Sequence, residues 1–110
     1  MIVACHTPAR TAMGAVQELR DEGIAAGLFR PQTLWPFPVR QLLPLLGRAR
    51  RLVVVEASDG QIEDELRLAL SHAGAAADIA HLRRYGGILP SRPEIVKAVR
   101  AHAARRAVAA

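Results

Sequence analysis

Four histidines, one cysteine and a short Glu-Ala-Ser-Asp run carry most of the chemical potential of this chain. His6, His72, His81 and His102 include no pair at i, i+3 or i, i+4, the spacing that lets one helix face offer two imidazoles to a metal ion. Cys5 is alone, so the chain can build neither an internal disulfide nor a cysteine-ligated zinc or iron–sulfur site. Cys5 and His6 are neighbours on an expected strand, where successive side chains leave on opposite faces and cannot act as nucleophile and base. Cys5 therefore reads as core, and His72 and His102 as solvated helix residues. Neither a G-x-G-x-x-G, a phosphate-binding P-loop nor a G-x-S-x-G element occurs. These residues assign no catalytic group and no metal ligand set.

What remains is a polar group brought together only by topology. In an open α/β sheet, ligands sit in the crevice beyond the carboxyl ends of the strands. If the first and third strands are neighbours, that crevice is lined by His6, Thr7, Glu56, Ser58 and Asp59. Two helix N-termini face it. The one near Ser58 carries Asp59, Glu63, Asp64 and Glu65, which oppose an anion. The one near Thr7 has Arg10 and no nearby acid, and is the better anion seat. Helix capping alone would also account for these residue types.

The elements that must position this crevice follow from apolar patterning. Ile2-Val3-Ala4-Cys5 reads as a strand buried on both faces. Thr7 as N-cap and Pro8 as first helical residue open a helix with Ala9, Ala12, Met13, Val16 and Leu19 inward. Glu22-Gly23-Ile24 closes it as a Schellman stop. Residues 24–29 form a second strand. A helix follows over residues 38–49 with Val39, Leu42, Leu43 and Leu46 inward, and Pro44 should kink or delay it. Residues 51–56 (Arg-Leu-Val-Val-Val-Glu) are the clearest strand, a central parallel one. Ser58 and Gln61 fit a capping box for a helix with Ile62, Leu66, Ala69 and Leu70 inward, and Glu63 and Arg67 pair on its wet face. Residues 76–82 form a weaker fourth strand, and Arg83-Arg84-Tyr85-Gly86-Gly87 a turn-rich loop. Ser91 and Glu94 make a second capping box, opening a helix with Ile95, Val99 and Ala103 inward. The βαβαβαβα alternation predicts a single three-layer α/β/α domain over residues 1–110.

The composition is 51% hydrophobic, which predicts an ordered core. The +5 charge rests on Arg, with Lys97 the sole lysine, and the arginines are scattered over several expected elements. Nucleic-acid binding would gather them on one face among stacking aromatics, and here the aromatics lie elsewhere. No run approaches a membrane span and no leader precedes the first strand, so a soluble cytoplasmic protein is expected.

The aromatics concentrate in residues 27–38, Gly-Leu-Phe-Arg-Pro-Gln-Thr-Leu-Trp-Pro-Phe-Pro, which holds the only Trp and both Phe. Its three prolines exclude a helix interior or a central strand. It reads either as a stiff connector whose aromatics cap a core, or as a docking surface with Arg30, Trp35 and Phe37 as interface candidates.

That run, with Leu52-Val53-Val54-Val55-Glu56, Gly60-Gln61, Tyr85-Gly86-Gly87 and Pro90, resembles the C-terminal domain of the alpha subunit of 2-oxoacid:ferredoxin oxidoreductases, the 2-oxoglutarate branch especially. The resemblance covers essentially the whole chain. It implies a transketolase C-terminal-like fold with a mainly parallel sheet of about four strands in the order 2-1-3-4. It also implies a complete complex that uses thiamine diphosphate, Mg²⁺, iron–sulfur clusters and CoA, none of them bound by this domain. The partners implied are the other subunits or domains of the oxidoreductase, with a homodimer left open. With Met1 abutting the first strand, the chain is expected to be a separate fragment or a short standalone homologue. Two features depart from the family: His6-Thr7-Pro8 replaces its small Gly-Ser turn, and Pro44 is unusual in the second helix. The leading expectation is a non-catalytic assembly domain. The alternative is a standalone module binding a small molecule or anion in the crevice.

Overall fold

A computed structural model describes residues 1–33, 35–49, 51–84 and 88–109, with side chains of the last helix described to residue 104. Tyr85, Gly86 and Gly87 of the expected loop lie outside the described residues. The elements run β1 (Ile2–Val3), α1 (His6–Asp21), β2 (Leu28–Phe29), α2 (Val39–Leu42), a 3₁₀ turn (Leu43–Gly47), β3 (Arg51–Glu56), α3 (Gln61–His72), β4 (Asp78–Arg83) and α4 (Arg92–Ala109). The four strands form one parallel sheet in the order β2-β1-β3-β4.

Period-two alternation in the strands decides the layers. Ile2, Val53 and Val55 point to one face, where Ala9, Ala12, Leu19, Ile95 and Val99 of α1 and α4 cover them. Val3, Leu52 and Val54 point to the other, under Leu42, Leu46, Ile62, Leu66 and Leu70 from α2, the 3₁₀ turn and α3. Each fully buried Val, Leu or Ile contributes roughly 1.5–3 kcal/mol relative to exposure, which is why β3 alone anchors both layers. The order reverses between β1 and β3. With crossovers of constant hand, that reversal puts α1 on one face and α2 and α3 on the other.

Several local expectations are corrected. The first strand is shorter than residues 2–5: Ala4 still donates to the Phe29 carbonyl (3.2 Å), but Cys5 already forms the N-cap of α1. The second strand pairs only over Leu28–Phe29, because β2 is an edge strand with a single neighbour, β1. Thr7 caps nothing; α1 has no side-chain cap, and Met13 is exposed where Ala15 is buried. The residue 38–49 helix survives as one turn of α helix before tightening into the 3₁₀ turn, whose start holds Pro44. A proline there removes the donor that an α-helical continuation needs. The Schellman stop stands, with Gly23 at φ 87° donating to the Arg20 carbonyl (3.0 Å) and Ile24 to that of Leu19 (3.0 Å). The Ser91–Glu94 capping box also stands, with both reciprocal bonds formed. On α4 the inner stripe runs Ile95, Val99 and His102, whereas Ala103 is exposed. His102 is therefore a core residue, not a solvated one. Among the described residues no helix is long and apolar enough to cross a membrane.

Candidate functional site

The carboxyl edge of the sheet brings β1 and β3 together as the sequence requires, with Ile2 beside Val53 and Val3 beside Val54. The chemistry there differs from the expected crevice. Glu56 ends β3 with 1% of its surface exposed, and its carboxylate is fully engaged. Oε1 accepts from Ser58 Oγ (2.6 Å) and the Ile62 amide (2.9 Å), and Oε2 accepts from the Glu63 amide (3.3 Å). These amides belong to the first turn of α3, so the cap of that helix is Glu56, reaching in from the strand. The N-cap position itself is Gly60 at φ 89°, without a side-chain bond, so Ser58 and Gln61 do not form a capping box. Ser58 instead holds the carboxylate.

A second carboxylate locks the adjoining corner. Glu63, expected on the wet face, is 5% exposed and gathers two arginines and a histidine. Arg67 Nε donates to it at 2.7 Å, Arg83 Nη2 at 2.9 Å, and His81 Nδ1 lies at 3.0 Å. Burial pushes the Glu63 carboxyl up, but hydrogen bonds from Arg67 and Arg83 and the nearby His81 outweigh it and hold the group below the usual range. The Arg83 guanidinium rests on Gly60, where a Cβ would lie 2.7 Å from its carbon.

Of the other residues expected in the crevice, His6, Thr7, Arg10 and Asp59 are exposed. His6 sits at φ 57°, the left-handed region glycine adopts freely. Cys5 is buried; burial and then the Glu56 charge raise its thiol pKa, and Arg30 opposes them. The edge thus unites Glu56 with Ser58 and sets Cys5 near both Glu56 and Arg30, while the N-terminus of α1 stays open.

The proline-aromatic stretch divides in two. Phe37 is 7% exposed and packs against Phe29 with ring centroids 6.2 Å apart, so it is a core residue and not a presented aromatic. Trp35 is 82% exposed. Beside it runs a cleft of about 340 Å³ whose walls include Val39, Glu65, Leu68 and His72. Leu68, half exposed on α3, extends the apolar surface. Arg30 is exposed nearby in sequence. Composition located this surface, but only packing separates its two rings.

Two further clefts, of about 600 and 650 Å³, lie at the opposite, amino-terminal edge of the sheet. They share Met1, Ala25, Ala26, Arg48 and Ala49 in their walls. Sequence reasoning passed over this edge. The one signal for it was the i, i+4, i+7 stripe that carries His102 inward beside Ile95 and Val99.

A four-stranded parallel sheet in the order 2-1-3-4, covered on both faces, defines an α/β domain of the transketolase C-terminal kind. The fold superposes on a solved split-gene transketolase, an inactive beta4 tetramer, with a TM-score of 0.79 at 21% identity, over 92% of this chain and 37% of that one. It also superposes on 2-oxoglutarate:ferredoxin oxidoreductase from Magnetococcus marinus, solved with 2-oxoglutarate, coenzyme A and succinyl-CoA bound, with a TM-score of 0.77 at 22% identity. That match covers 92% of this chain and 17% of the other.

Residues 1–95 match the model of the pyruvate:ferredoxin oxidoreductase core domain II, and the chain belongs to that family. Among curated relatives, the ketoisovalerate oxidoreductase subunit VorB of Methanothermobacter thermautotrophicus is 34% identical over 100 residues, 91% of this chain and 27% of VorB. The 2-oxoglutarate synthase subunit KorA of Methanothermobacter marburgensis is 30% identical over 98 residues, 89% of this chain and 25% of KorA. The chain spans about a quarter of the length of these relatives.

Proposed function

We propose that the chain is an assembly domain of a cytoplasmic 2-oxoacid:ferredoxin oxidoreductase, making contact with the other subunits or domains and performing no bond chemistry itself. The observation that carries this reading is the division of labour between the two surfaces described above. At the carboxyl edge the buried carboxylates are consumed by internal bonds, Glu56 by the α3 cap and Glu63 by Arg67, Arg83 and His81. On the α2–α3 side, Trp35 stands in solvent at the edge of an apolar cleft. A large exposed aromatic beside a concave apolar surface is the kind of group that dominates binding energy at protein interfaces. Trp35 is the proposed anchor and Arg30 the proposed polar neighbour.

Among the described residues no group of three His, Cys, Asp or Glu could hold a metal ion, and one cysteine cannot hold a cluster. Thiamine diphosphate, Mg²⁺, iron–sulfur clusters and CoA would belong to the rest of the complex, and no reaction step is assigned here.

The test is affinity co-purification of the tagged chain with candidate oxidoreductase subunits, run beside an assay for 2-oxoacid-dependent viologen reduction. The expected result is retention of those subunits by the wild type, loss of retention for Trp35→Ala, and no turnover by the chain alone with thiamine diphosphate and Mg²⁺ supplied. Turnover by the purified chain, or equal retention by the Trp35→Ala variant, would overturn it.

A further inference from the structure

The amino-terminal edge of the sheet gathers three arginines around two adjoining clefts. Arg48 and Arg51 line the cleft of about 600 Å³, and Arg20 lines the cleft continuous with it. Among the described residues Asp78 is the one acidic side chain in either wall. Arg51 is held in place, because its Nη1 donates to the carbonyls of His102 (3.1 Å) and Ala103 (3.2 Å) on α4. Arg20 is held in the same manner, its Nε donating to the Ala26 carbonyl at 2.8 Å. Arg48 is exposed and makes no ion pair among the described residues.

The wall carries a second polar feature. His102 has 3% of its side chain exposed, and its Nε2 lies 3.1 Å from the Asp78 carbonyl, which places the proton on that nitrogen. Its Nδ1 is buried without a hydrogen-bond partner among the described residues. A buried acceptor left unpaired costs stability, and with its proton on Nε2 the ring offers an anion no donor at Nδ1, so an anion there would be held by the arginines. The volume falls within the usual range of small-molecule sites. Two preorganised guanidinium groups and one free one form the chemistry that recognises carboxylates and phosphates through charge-assisted, often paired hydrogen bonds.

We propose that this cleft binds a small organic or inorganic anion, a carboxylate or a phosphate, at the edge of the sheet opposite the one where α/β domains ordinarily hold their ligands. The site does not depend on the assembly role and stands or falls separately from it.

Titrations of the isotope-labelled chain with inorganic phosphate and, separately, with succinate provide the test, followed by two-dimensional amide NMR and the His102 ring signals. The expected result is saturable movement of the Ala25, Ala26, Arg48, Ala49 and Asp78 amides and of the His102 ring. Arg48→Gln should weaken the apparent affinity about tenfold or more, the loss of one charge-assisted bond. Arg10→Gln, at the open end of α1, should leave it unchanged. Because Arg48 is exposed, its replacement should not disturb the fold, which an unchanged spectrum away from the cleft verifies. Non-saturable drift of all arginine-proximal signals, saturable movement only at residues 7–10, or an Arg48→Gln affinity equal to wild type would each overturn the proposal. Movement of the cleft signals only on adding oxidoreductase subunits, with neither anion binding, would make the cleft a protein contact and overturn it as well.

Discussion

Replacing Glu56 by Ala should be the most damaging single change at the carboxyl edge, and its size follows from the bonds removed. The carboxylate accepts from two amides in the first turn of α3, Ile62 (2.9 Å) and Glu63 (3.3 Å), and from Ser58 Oγ (2.6 Å). Each buried donor left without a partner costs about 1–3 kcal/mol. Loss of a negative charge at a helix N-terminus adds roughly 0.3–1 kcal/mol. With Ser58 half-exposed and free to turn to water, the sum is about 2–7 kcal/mol, a large part of the ~5–15 kcal/mol of a typical domain. At a urea dependence of roughly 1.5 kcal/mol per molar, the unfolding midpoint should fall by ~1–5 M. Glu56→Gln keeps an acceptor and the shape, and should lose about half as much. Ser58→Ala should lose about 1 kcal/mol or less, since it removes one donor from an acceptor that keeps two others. Urea unfolding followed by circular dichroism ranks the three, and amide exchange at Ile62 and Glu63 reports the cap directly. A Ser58→Ala loss equal to or larger than that of Glu56→Ala would refute the reasoning and restore the serine as the cap.

Four further outcomes are expected. Glu63 is held below the usual carboxyl range in the folded state, so its ion pairs stabilise fully above the unfolded value of about 4.3 and are lost as pH falls through the lower folded value; the melting-temperature gap between wild type and Glu63→Gln should narrow only on that acid side. Cys5, buried with its thiol pushed up, should react with a thiol reagent at pH 8 well below the rate of a free cysteine, and reach that rate in denaturant. Phe37→Ala should destabilise by about 2–4 kcal/mol, while Trp35→Ala changes stability by no more than ~0.5 kcal/mol and acrylamide quenches Trp35 about as well as free tryptophan. Gly60→Ala should destabilise by roughly 2 kcal/mol, from a left-handed residue and displacement of Arg83, and a double-mutant cycle with Glu63→Gln should be non-additive.

Where one residue type in one place admits a single solution, the fold was legible. The Leu52-Val53-Val54-Val55 run could only be a doubly covered strand, and it pairs on both sides. Gly23 followed by Ile24 could only end a helix, and both Schellman bonds form. Legibility failed where a longer side chain arrived from a different element. Ser58 and Ser91 carry the same local capping signature, yet only Ser91 caps. Near Ser58 the strand before the helix ends in a glutamate whose reach covers the first-turn amides, and that reach depends on where β3 stops relative to α3. The stripe falls on His102 and not Ala103 because i+7 and i+8 are both compatible with a helical stripe, and the Asp78 carbonyl, twenty-four residues away, holds the His102 ring inward.

The same geometry bears on what the two edges of the sheet can do. A ligand entering the carboxyl edge over β3 would have to displace Ser58 from Glu56, or Arg83 from Glu63. The first step takes one of three donors from Glu56 and leaves both α3 amides bonded, at about 1 kcal/mol, and the second leaves buried Glu63 with Arg67 and His81. The open α1 terminus beside it lacks any such obstacle but has His6 in a left-handed conformation, where glycine would let the backbone approach a ligand more closely. At the amino edge, by contrast, the guanidinium groups of Arg20 and Arg51 are tethered to backbone carbonyls, which orients them without neutralising their charge. A carbonyl accepts one N–H and leaves the rest of the fork directed outward. At these two edges, then, Glu56 and Glu63 are spent inward on holding α3 to the sheet, while Arg20 and Arg51 are fixed by backbone carbonyls without a carboxylate partner among the described residues.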